Sequence, residues 1–137
     1  MNNKYMKEAI KMAYKAYSNG DIPVGCVIVH DGKIIAKAYN RKEMLNDPTM
    51  HAEIIAISKA AKVLKSWRLN DCKLYVTLEP CDMCKGAIAE ARINKIYYLL
   101  DSKYHKLNST RVDGFYTKLL DIYNYRKVMG AFFKNKR

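Results

Sequence analysis

The stretch Leu74-Tyr-Val-Thr-Leu-Glu-Pro-Cys-Asp-Met-Cys84 carries the strongest signal for both fold and chemistry. Residues 74–78 are mostly apolar or β-branched, which predicts a strand buried on both faces. Pro80 predicts a helix that lasts to about Ala91, because proline is favoured in a first helical turn. Cys81 and Cys84 would lie in that turn, where aligned N–H groups favour negative charge. We therefore expect a central strand that leads directly into a helix bearing two thiols.

A second helix start lies upstream. Asp47-Pro48 predicts an N-cap residue followed by the first helical position, and the helix should run to about Leu64. His51-Ala-Glu53 lies near its beginning. A single histidine at such a position is usually capped or solvated. A single Cys-x-x-Cys is equally compatible with a redox pair, a zinc half-site or a coincidence.

The combination of the two motifs is far more specific than either one. Two thiolates and one imidazole make three zinc ligands, and three protein ligands leave one tetrahedral position open for water, as catalytic zinc requires. Cys26 and Cys72 lie on or near predicted strands, apart from both motifs. Glu53 is close enough to His51 to reach the water without binding the metal. A proton shuttle is its natural role.

Apolar periodicity predicts the other elements. These are a helix over 4–17, strands over 24–30 and 34–39 joined by a hairpin turn at Asp31-Gly32, and a strand over 96–100. The strand–helix–strand order implies a sheet covered on both faces. Beyond Asp101, apolar residues at helical spacing favour a helix over 111–125, whereas 127–133 fits either a strand or a helix.

Length and composition bound the function. A chain of 137 residues that is half apolar suits a single globular domain, without disulfides to hold it together. No apolar run approaches the ~18–20 residues of a membrane span. Lysines interrupt the N-terminal segment, which argues against a signal peptide. With four cysteines that read as thiols or metal ligands, the cytoplasm is the expected compartment.

The charge is strongly basic. Twenty-five Lys and Arg against thirteen Asp and Glu give a formal charge of +12, which favours a polyanionic partner, with nucleic acid first. The alternative is a lysine-rich composition that serves solubility. The C-terminal run is a stronger indication of a polyanionic partner, because five basic residues follow the last acid, Asp121. These are Arg126, Lys127, Lys134, Lys136 and Arg137. A solvated terminus would account for the same run.

Several stretches resemble the bacterial tRNA adenosine deaminases of the cytidine deaminase superfamily. The superfamily signature is His51-Ala-Glu53 followed by Pro80-Cys81-x-x-Cys84. The closer matches are Asp21-Ile-Pro-Val-Gly25, Tyr39-Asn40-Arg41, Asp47-Pro-Thr-Met-His51-Ala-Glu53, Trp67-Arg-Leu69, Leu74-Tyr-Val-Thr-Leu-Glu-Pro-Cys-Asp-Met-Cys84-Lys-Gly-Ala87 and Ala91-Arg-Ile93. The resemblance covers roughly the first hundred residues.

This resemblance implies a three-layer α/β/α fold with a central mixed sheet of about five strands and helices on both faces. It implies one Zn²⁺ on His51, Cys81 and Cys84, which activates a water. Glu53 would take the proton of that water, protonate the purine ring nitrogen and then protonate the leaving amino group. The product would be inosine at the wobble position of a tRNA anticodon, and the enzyme would be a homodimer.

The resemblance also implies a pocket for the base. Asn40 would hydrogen-bond the purine edge, with Pro23, Val24 and the backbone of Ala52 as pocket wall. For Asn40 the alternative is a turn after a strand, and for Pro23 and Val24 it is ordinary turn and core packing. Glu79, at a strand end, is expected to be structural.

Two departures from the family bear on the substrate. After Leu100 the Gly- and Ala-containing loop of the family is absent and the C-terminal segment looks shortened, which questions RNA binding but not zinc chemistry. Cys26 stands where the family usually has a smaller residue, and it either packs inertly or narrows the site. A free purine base or nucleoside deaminase is the first alternative, because guanine deaminases share the Asp-Pro-Thr-x-His-Ala-Glu pattern. A non-catalytic, zinc-stabilised RNA-binding module is the second.

Overall fold

The computed structural model describes residues 4–102 and 114–135. The elements in chain order are α1 (Lys4–Ser18), β1 (Gly25–His30), β2 (Lys33–Tyr39), α2 (Lys42–Leu45), α3 (Ala52–Leu64), β3 (Cys72–Val76), α4 (Asp82–Glu90), β4 (Lys95–Tyr98), β5 (Phe115–Lys118) and α5 (Tyr125–Asn135). No helix in these two ranges is both long and apolar enough to cross a membrane.

The strands form one five-stranded mixed sheet in the order β2-β1-β3-β4-β5. β1 pairs antiparallel with β2 and β3, while β3, β4 and β5 are parallel. The predicted hairpin turn between β1 and β2 is confirmed: Asp31 and Gly32 have φ of 51° and 73°. Two successive left-handed residues match the right-handed twist of the strands that they join.

Helices cover both faces of the sheet, as expected for a three-layer α/β/α fold. On one face, β1 residues Cys26 and Ile28 belong to a core cluster with Ala52 and Ala56 of α3 and Ile88 of α4. On the other face, the alternate residues of β1 pack with α1 and α5, in a cluster that includes Val27, Val29, Met6 and Tyr125. Alternation along the strand thus assigns each helix to one side.

The two helix starts at the predicted site lie later than expected. α3 begins at Ala52, not at Pro48, and His51 is its N-cap residue. The Asp47 carboxylate instead accepts hydrogen bonds from the backbone N–H and hydroxyl of Thr49, at 2.9 and 2.7 Å, so Asp47-Pro48 forms a local turn. Similarly, α4 begins at Asp82 with Cys81 as N-cap, two residues after the predicted start at Pro80. The predicted end of α3 at Leu64 is confirmed.

The helix predicted over 111–125 is wrong for its described part. Residues Phe115–Lys118 form β5, which pairs in parallel with β4. Phe115 donates its backbone N–H to Asn94, and Leu119 donates to Tyr98, at 2.6 and 2.7 Å. Pairing with a partner strand overrides the helical spacing of the apolar residues. The 127–133 segment, left open by the sequence, lies within a helix, and residues 111–113 lie outside the described ranges.

Candidate active site

The predicted metal ligands meet in space. His51 and Cys81 are the N-cap residues of α3 and α4, both in extended backbone conformation, and Cys84 lies in the first turn of α4. The His51 Nδ1 atom lies 3.7 Å from Cys81 Sγ and 3.5 Å from Cys84 Sγ. All three donor atoms lie within 4.8 Å of one another, and among the described residues they form the only such cluster of His, Cys, Asp and Glu side chains.

This donor set fits zinc. Typical Zn–S and Zn–N bond lengths with tetrahedral angles place a sulfur and a nitrogen ligand about 3.6 Å apart. The observed separations of 3.5 and 3.7 Å bracket that value. Two cysteines and one histidine leave one tetrahedral position for a non-protein ligand, which is the arrangement of a catalytic zinc site.

The two cysteine thiols are electrostatically unequal, because their mutual hydrogen bond, together with burial, raises the pKa of Cys84 far above its ordinary value. The pKa of the Cys81 thiol is lowered to about 4, mainly by the hydrogen bond between the two cysteine sulfurs, and His51 adds to the effect. The pKa of His51 is raised, chiefly by its hydrogen bond with Cys81. Cys81 is therefore a thiolate at neutral pH, and a thiolate is the form of cysteine that binds zinc.

Glu53 lies beside the ligand cluster and is buried. Its side chain follows His51 by two residues on α3, and only 3% of the residue is exposed. Burial raises the pKa of Glu53 to about 7, partly offset by its own backbone N–H, His51 and a hydrogen bond from Cys84. A carboxyl group with a pKa near neutrality can both accept and release a proton at physiological pH. The proton-shuttle role of Glu53 stays a prediction.

Asn40 connects β2 to the start of α3. The residue is 4% exposed, and its Oδ1 accepts the backbone N–H of Ala52 at 2.8 Å. A backbone N–H can only donate, so the side-chain atom of Asn40 that faces Ala52 is the oxygen Oδ1, and Nδ2 is left to donate to another partner. Asn40 thus performs the capping role that the sequence had assigned to Asp47, at a distance of twelve residues along the chain.

Pro23 and Val24 are linked to this site by the backbone. Both are buried, at the point where the chain enters β1. The Val24 carbonyl accepts the backbone N–H of Asn40 at 3.1 Å. Two hydrogen bonds therefore lead from Val24 through Asn40 to Ala52, which stands between His51 and Glu53.

A buried ion pair supports the cysteine-bearing helix. Glu79 Oε2 lies 3.2 Å from Lys85 Nζ, and both side chains are at most 10% exposed. The other oxygen of Glu79 accepts the backbone N–H of Ser102 at 3.1 Å. Glu79 thus joins the end of β3, α4 and the beginning of the divergent segment, in agreement with its predicted structural role. Lys85 was not anticipated, because a lysine in a basic chain carries no signal of burial.

Cys26 lies under the site. It is fully buried on β1, and burial raises its pKa far above the ordinary value, with a further contribution from the charge of Glu53. It belongs to the same core cluster as Ala52. Its burial agrees with the packing role, while the effect of Cys26 on the width of the site stays a prediction.

A cavity of about 390 Å³ lies between the ends of β4 and β5 and helix α5. Its apolar lining includes Leu78, Leu100, Met129 and Phe133. The cations Lys118 and Arg126 also line it, and Lys118 is paired with Asp101 at 2.7 Å. The C-terminal segment therefore contributes one side of a partly apolar recess that Arg126 and the Lys118–Asp101 pair also line.

Residues 1–100 match the family model described as the cytidine and deoxycytidylate deaminase zinc-binding region. The chain is 55% identical over 94 residues to the chloroplastic tRNA(adenine(34)) deaminase of Arabidopsis thaliana, covering 69% of this chain and 7% of that protein. It is 49% identical over 94 residues to the tRNA-specific adenosine deaminase of Bacillus subtilis. That match covers 69% of this chain, and the chain spans 58% of the length of the relative.

Two solved structures are similar over most of their own length. A structure from a study of tRNA:A34 deaminases has 35% sequence identity and a TM-score of 0.77, and the match covers 84% of this chain and 96% of that one. A guanine deaminase from Bacillus subtilis has 36% identity and a TM-score of 0.71, and the match covers 100% of this chain and 98% of that one.

Replacement of Cys84 by alanine tests the ligand cluster. We expect zinc affinity to fall roughly a hundredfold or more, because removal of a group that only supports a ligand already costs 10–100-fold. Metal content after dialysis is the measurement, with Cys72→Ala as the matched control, since Cys72 is also buried but lies outside the cluster. Full zinc retention by Cys84→Ala would contradict the assignment.

Proposed function

The chain belongs to the family of the cytidine and deoxycytidylate deaminase zinc-binding region, and we propose that residues 1–137 act as a single deaminase domain that converts adenosine to inosine in tRNA, at the anticodon wobble position. The observation that carries this proposal is the buried Glu53 beside the His51, Cys81 and Cys84 donor set. The curated relatives named tRNA deaminases and the similar tRNA:A34 deaminase structure support the substrate.

In the proposed reaction the residues of this chain move protons around the C6 atom of adenine. Zinc held by His51, Cys81 and Cys84 would act as a Lewis acid that lowers the pKa of a bound water towards neutrality. Glu53 takes a proton from the attacking water and delivers it to the ring nitrogen next to C6. Glu53 then carries the second water proton to the amino group. The C6–N bond breaks, ammonia leaves and the C6 oxygen of inosine remains.

We propose that the base is held by Asn40 and by a wall made of Pro23, Val24 and Ala52. The Asn40 Nδ2 group would donate to the purine edge, since its Oδ1 is engaged by Ala52. The Ala52 N–H is used by that bond, so Ala52 would contribute shape and the orientation of Asn40. Glu53, the next residue of α3, is buried and would supply the proton shuttle.

The charge of +12 supports an RNA substrate over a small neutral one. The recess between β4, β5 and α5 would offer the Arg126 guanidinium and the Phe133 ring to an RNA strand. Deamination of free guanine is the second candidate. One observation favours it: the guanine deaminase match covers the whole chain, including the part after Leu100, whereas the tRNA:A34 deaminase match covers 84%.

We also propose that the protein is a homodimer that acts in the cytoplasm. Apolar side chains are exposed on α2, the end of α3 and the start of α4, and include Met44, Leu45, Val63 and Met83. Burial of such residues against a second copy would account for their exposure in the single chain. Sedimentation at micromolar concentration should give the mass of a dimer, and a purely monomeric species would contradict this.

The cytoplasm is proposed as the compartment because all four cysteines are free, in keeping with a reducing environment. Cell fractionation should locate the protein there.

Replacement of Glu53 by glutamine tests the proton shuttle. We expect turnover of a wobble adenosine in an anticodon stem-loop to fall by about 10²–10⁴-fold, because general acid–base catalysis contributes that much. Zinc content should stay at the parental level, since the ligands are unchanged. Glu90→Gln, at the exposed end of α4, is the control and should retain full activity. Parental turnover by Glu53→Gln would rule out the mechanism.

Replacement of Asn40 by aspartate distinguishes the role of its oxygen Oδ1 as an acceptor from the proposed role of Nδ2 as a donor to the purine. A carboxylate oxygen still accepts the Ala52 N–H, so the fold and zinc content should be preserved. The donor to the purine is lost, and we expect kcat/KM to fall by roughly 10–200-fold, as for other single lost polar contacts of 1–3 kcal/mol. Steady-state kinetics on the same stem-loop measure the effect. An unchanged kcat/KM would show that Asn40 serves only as the cap of α3.

A further inference from the structure

We propose that Tyr125 is a positioning residue for the base pocket: its hydroxyl holds the Pro23 carbonyl and so fixes the pocket wall against the C-terminal helix. This inference rests on the proposed function, because it concerns the wall of that pocket. Tyr125 is the first residue of α5 and is completely buried. Its hydroxyl donates to the carbonyl oxygen of Pro23 at 2.7 Å, across 102 positions of the chain.

The acceptor is a residue with few other means of being held. Proline has no backbone N–H, so its carbonyl is its one backbone hydrogen-bonding group. Pro23 lies two residues before the start of β1, outside the ladder that orders the strand. The Tyr125 hydroxyl therefore supplies a fixed point just before the sheet begins.

The surroundings of Tyr125 make this fixed point rigid. Thr77, which also hydrogen-bonds the Tyr125 hydroxyl, accepts the Gly25 N–H on its own hydroxyl at 3.2 Å and donates its backbone N–H to the Gly25 carbonyl at 3.0 Å. At the helix start, Asp121 accepts the backbone N–H groups of Tyr125 and Arg126 at 2.8 and 3.0 Å. The backbone of Tyr125 is thus held by Asp121, and its hydroxyl is held by Pro23 and Thr77.

The wall that Tyr125 holds leads directly to the candidate active site. Val24, next to Pro23, accepts the backbone N–H of Asn40, and Asn40 accepts that of Ala52. The electrostatic influence of Glu53 reaches Tyr125, although burial is the main cause of the raised pKa of this tyrosine. A shift of the 23–24 segment would therefore change the distance between the wall and Asn40, and with it the orientation of a bound base.

A phenylalanine at this position isolates the hydroxyl. Tyr125→Phe keeps the ring packing and removes the hydrogen bonds of the hydroxyl to Pro23 and Thr77. Tyr5→Phe is a matched control, because Tyr5 is also nearly buried, at 9% exposure, and its hydroxyl donates to the Gly32 carbonyl at the remote β1–β2 turn, at 2.9 Å. We expect a larger loss of Tm in Tyr125→Phe, which loses two buried hydrogen bonds, than in Tyr5→Phe, which loses one, and parental zinc content in both.

The two variants should differ in catalysis. Misplacement of a reacting group by about 1 Å costs up to about 10²-fold in rate, so kcat of Tyr125→Phe on the stem-loop should fall roughly 10–100-fold, by more than KM rises. Tyr5→Phe should keep the parental kcat. A parental kcat in Tyr125→Phe, or an equal loss in Tyr5→Phe, would overturn the proposal.

Amide hydrogen exchange gives a readout that does not depend on activity. Exchange at Val24 and Gly25 should become faster in Tyr125→Phe and stay parental in Tyr5→Phe, and unchanged exchange at both residues would overturn the proposal. If the parent protein deaminates neither RNA adenosine nor guanine, the proposed function fails. The exchange difference then decides by itself whether Tyr125 holds the 23–25 segment.

Discussion

The site depends on two helices that begin next to each other at one side of a mixed sheet. The ligands His51 and Cys81 are their N-cap residues, and Cys84 lies one turn further along α4. A metal site at helix starts needs backbone N–H groups that are satisfied without using the ligand side chains. Asn40 does this for α3 by accepting the Ala52 N–H from the end of β2. The imidazole and the thiols therefore remain available to converge on one point.

Buried polar side chains around the ligand cluster are also held by hydrogen bonds and ion pairs. Glu79 and Lys85 form an ion pair behind the cysteine helix, and Thr77 joins the ends of β1 and β3 through Gly25. Each buried polar group costs free energy unless it is hydrogen-bonded. Here each of them has a partner that fixes the position of a loop near the site. Glu53 differs, because its carboxyl is buried with a pKa near neutrality, a property suited to chemistry rather than to stability.

The sequence predicted features whose causes are local and missed those whose causes are distant. The turn at Asp31-Gly32 is set by two residues that tolerate positive φ, so it was predictable. The sequence places the start of α3 too early, because the cap is supplied by Asn40, twelve residues before Ala52. The apolar spacing predicts a helix where β5 lies, because the sequence does not show that pairing with β4 decides the conformation of this segment. The donor set was predictable because zinc ligation restricts both residue type and spacing. Tyr125 carried no such restriction, since its role arises only from its contact with Pro23.

We propose that a zinc deaminase site acts here on adenosine within RNA. The most direct test gives the zinc-loaded protein an anticodon stem-loop with a wobble adenosine, and free guanine and cytidine in parallel reactions, with inosine and ammonia as the products measured. This assignment predicts inosine in the stem-loop and no ammonia from the free substrates. Ammonia from guanine with no inosine in the RNA would contradict it, and would assign the site to a free purine base.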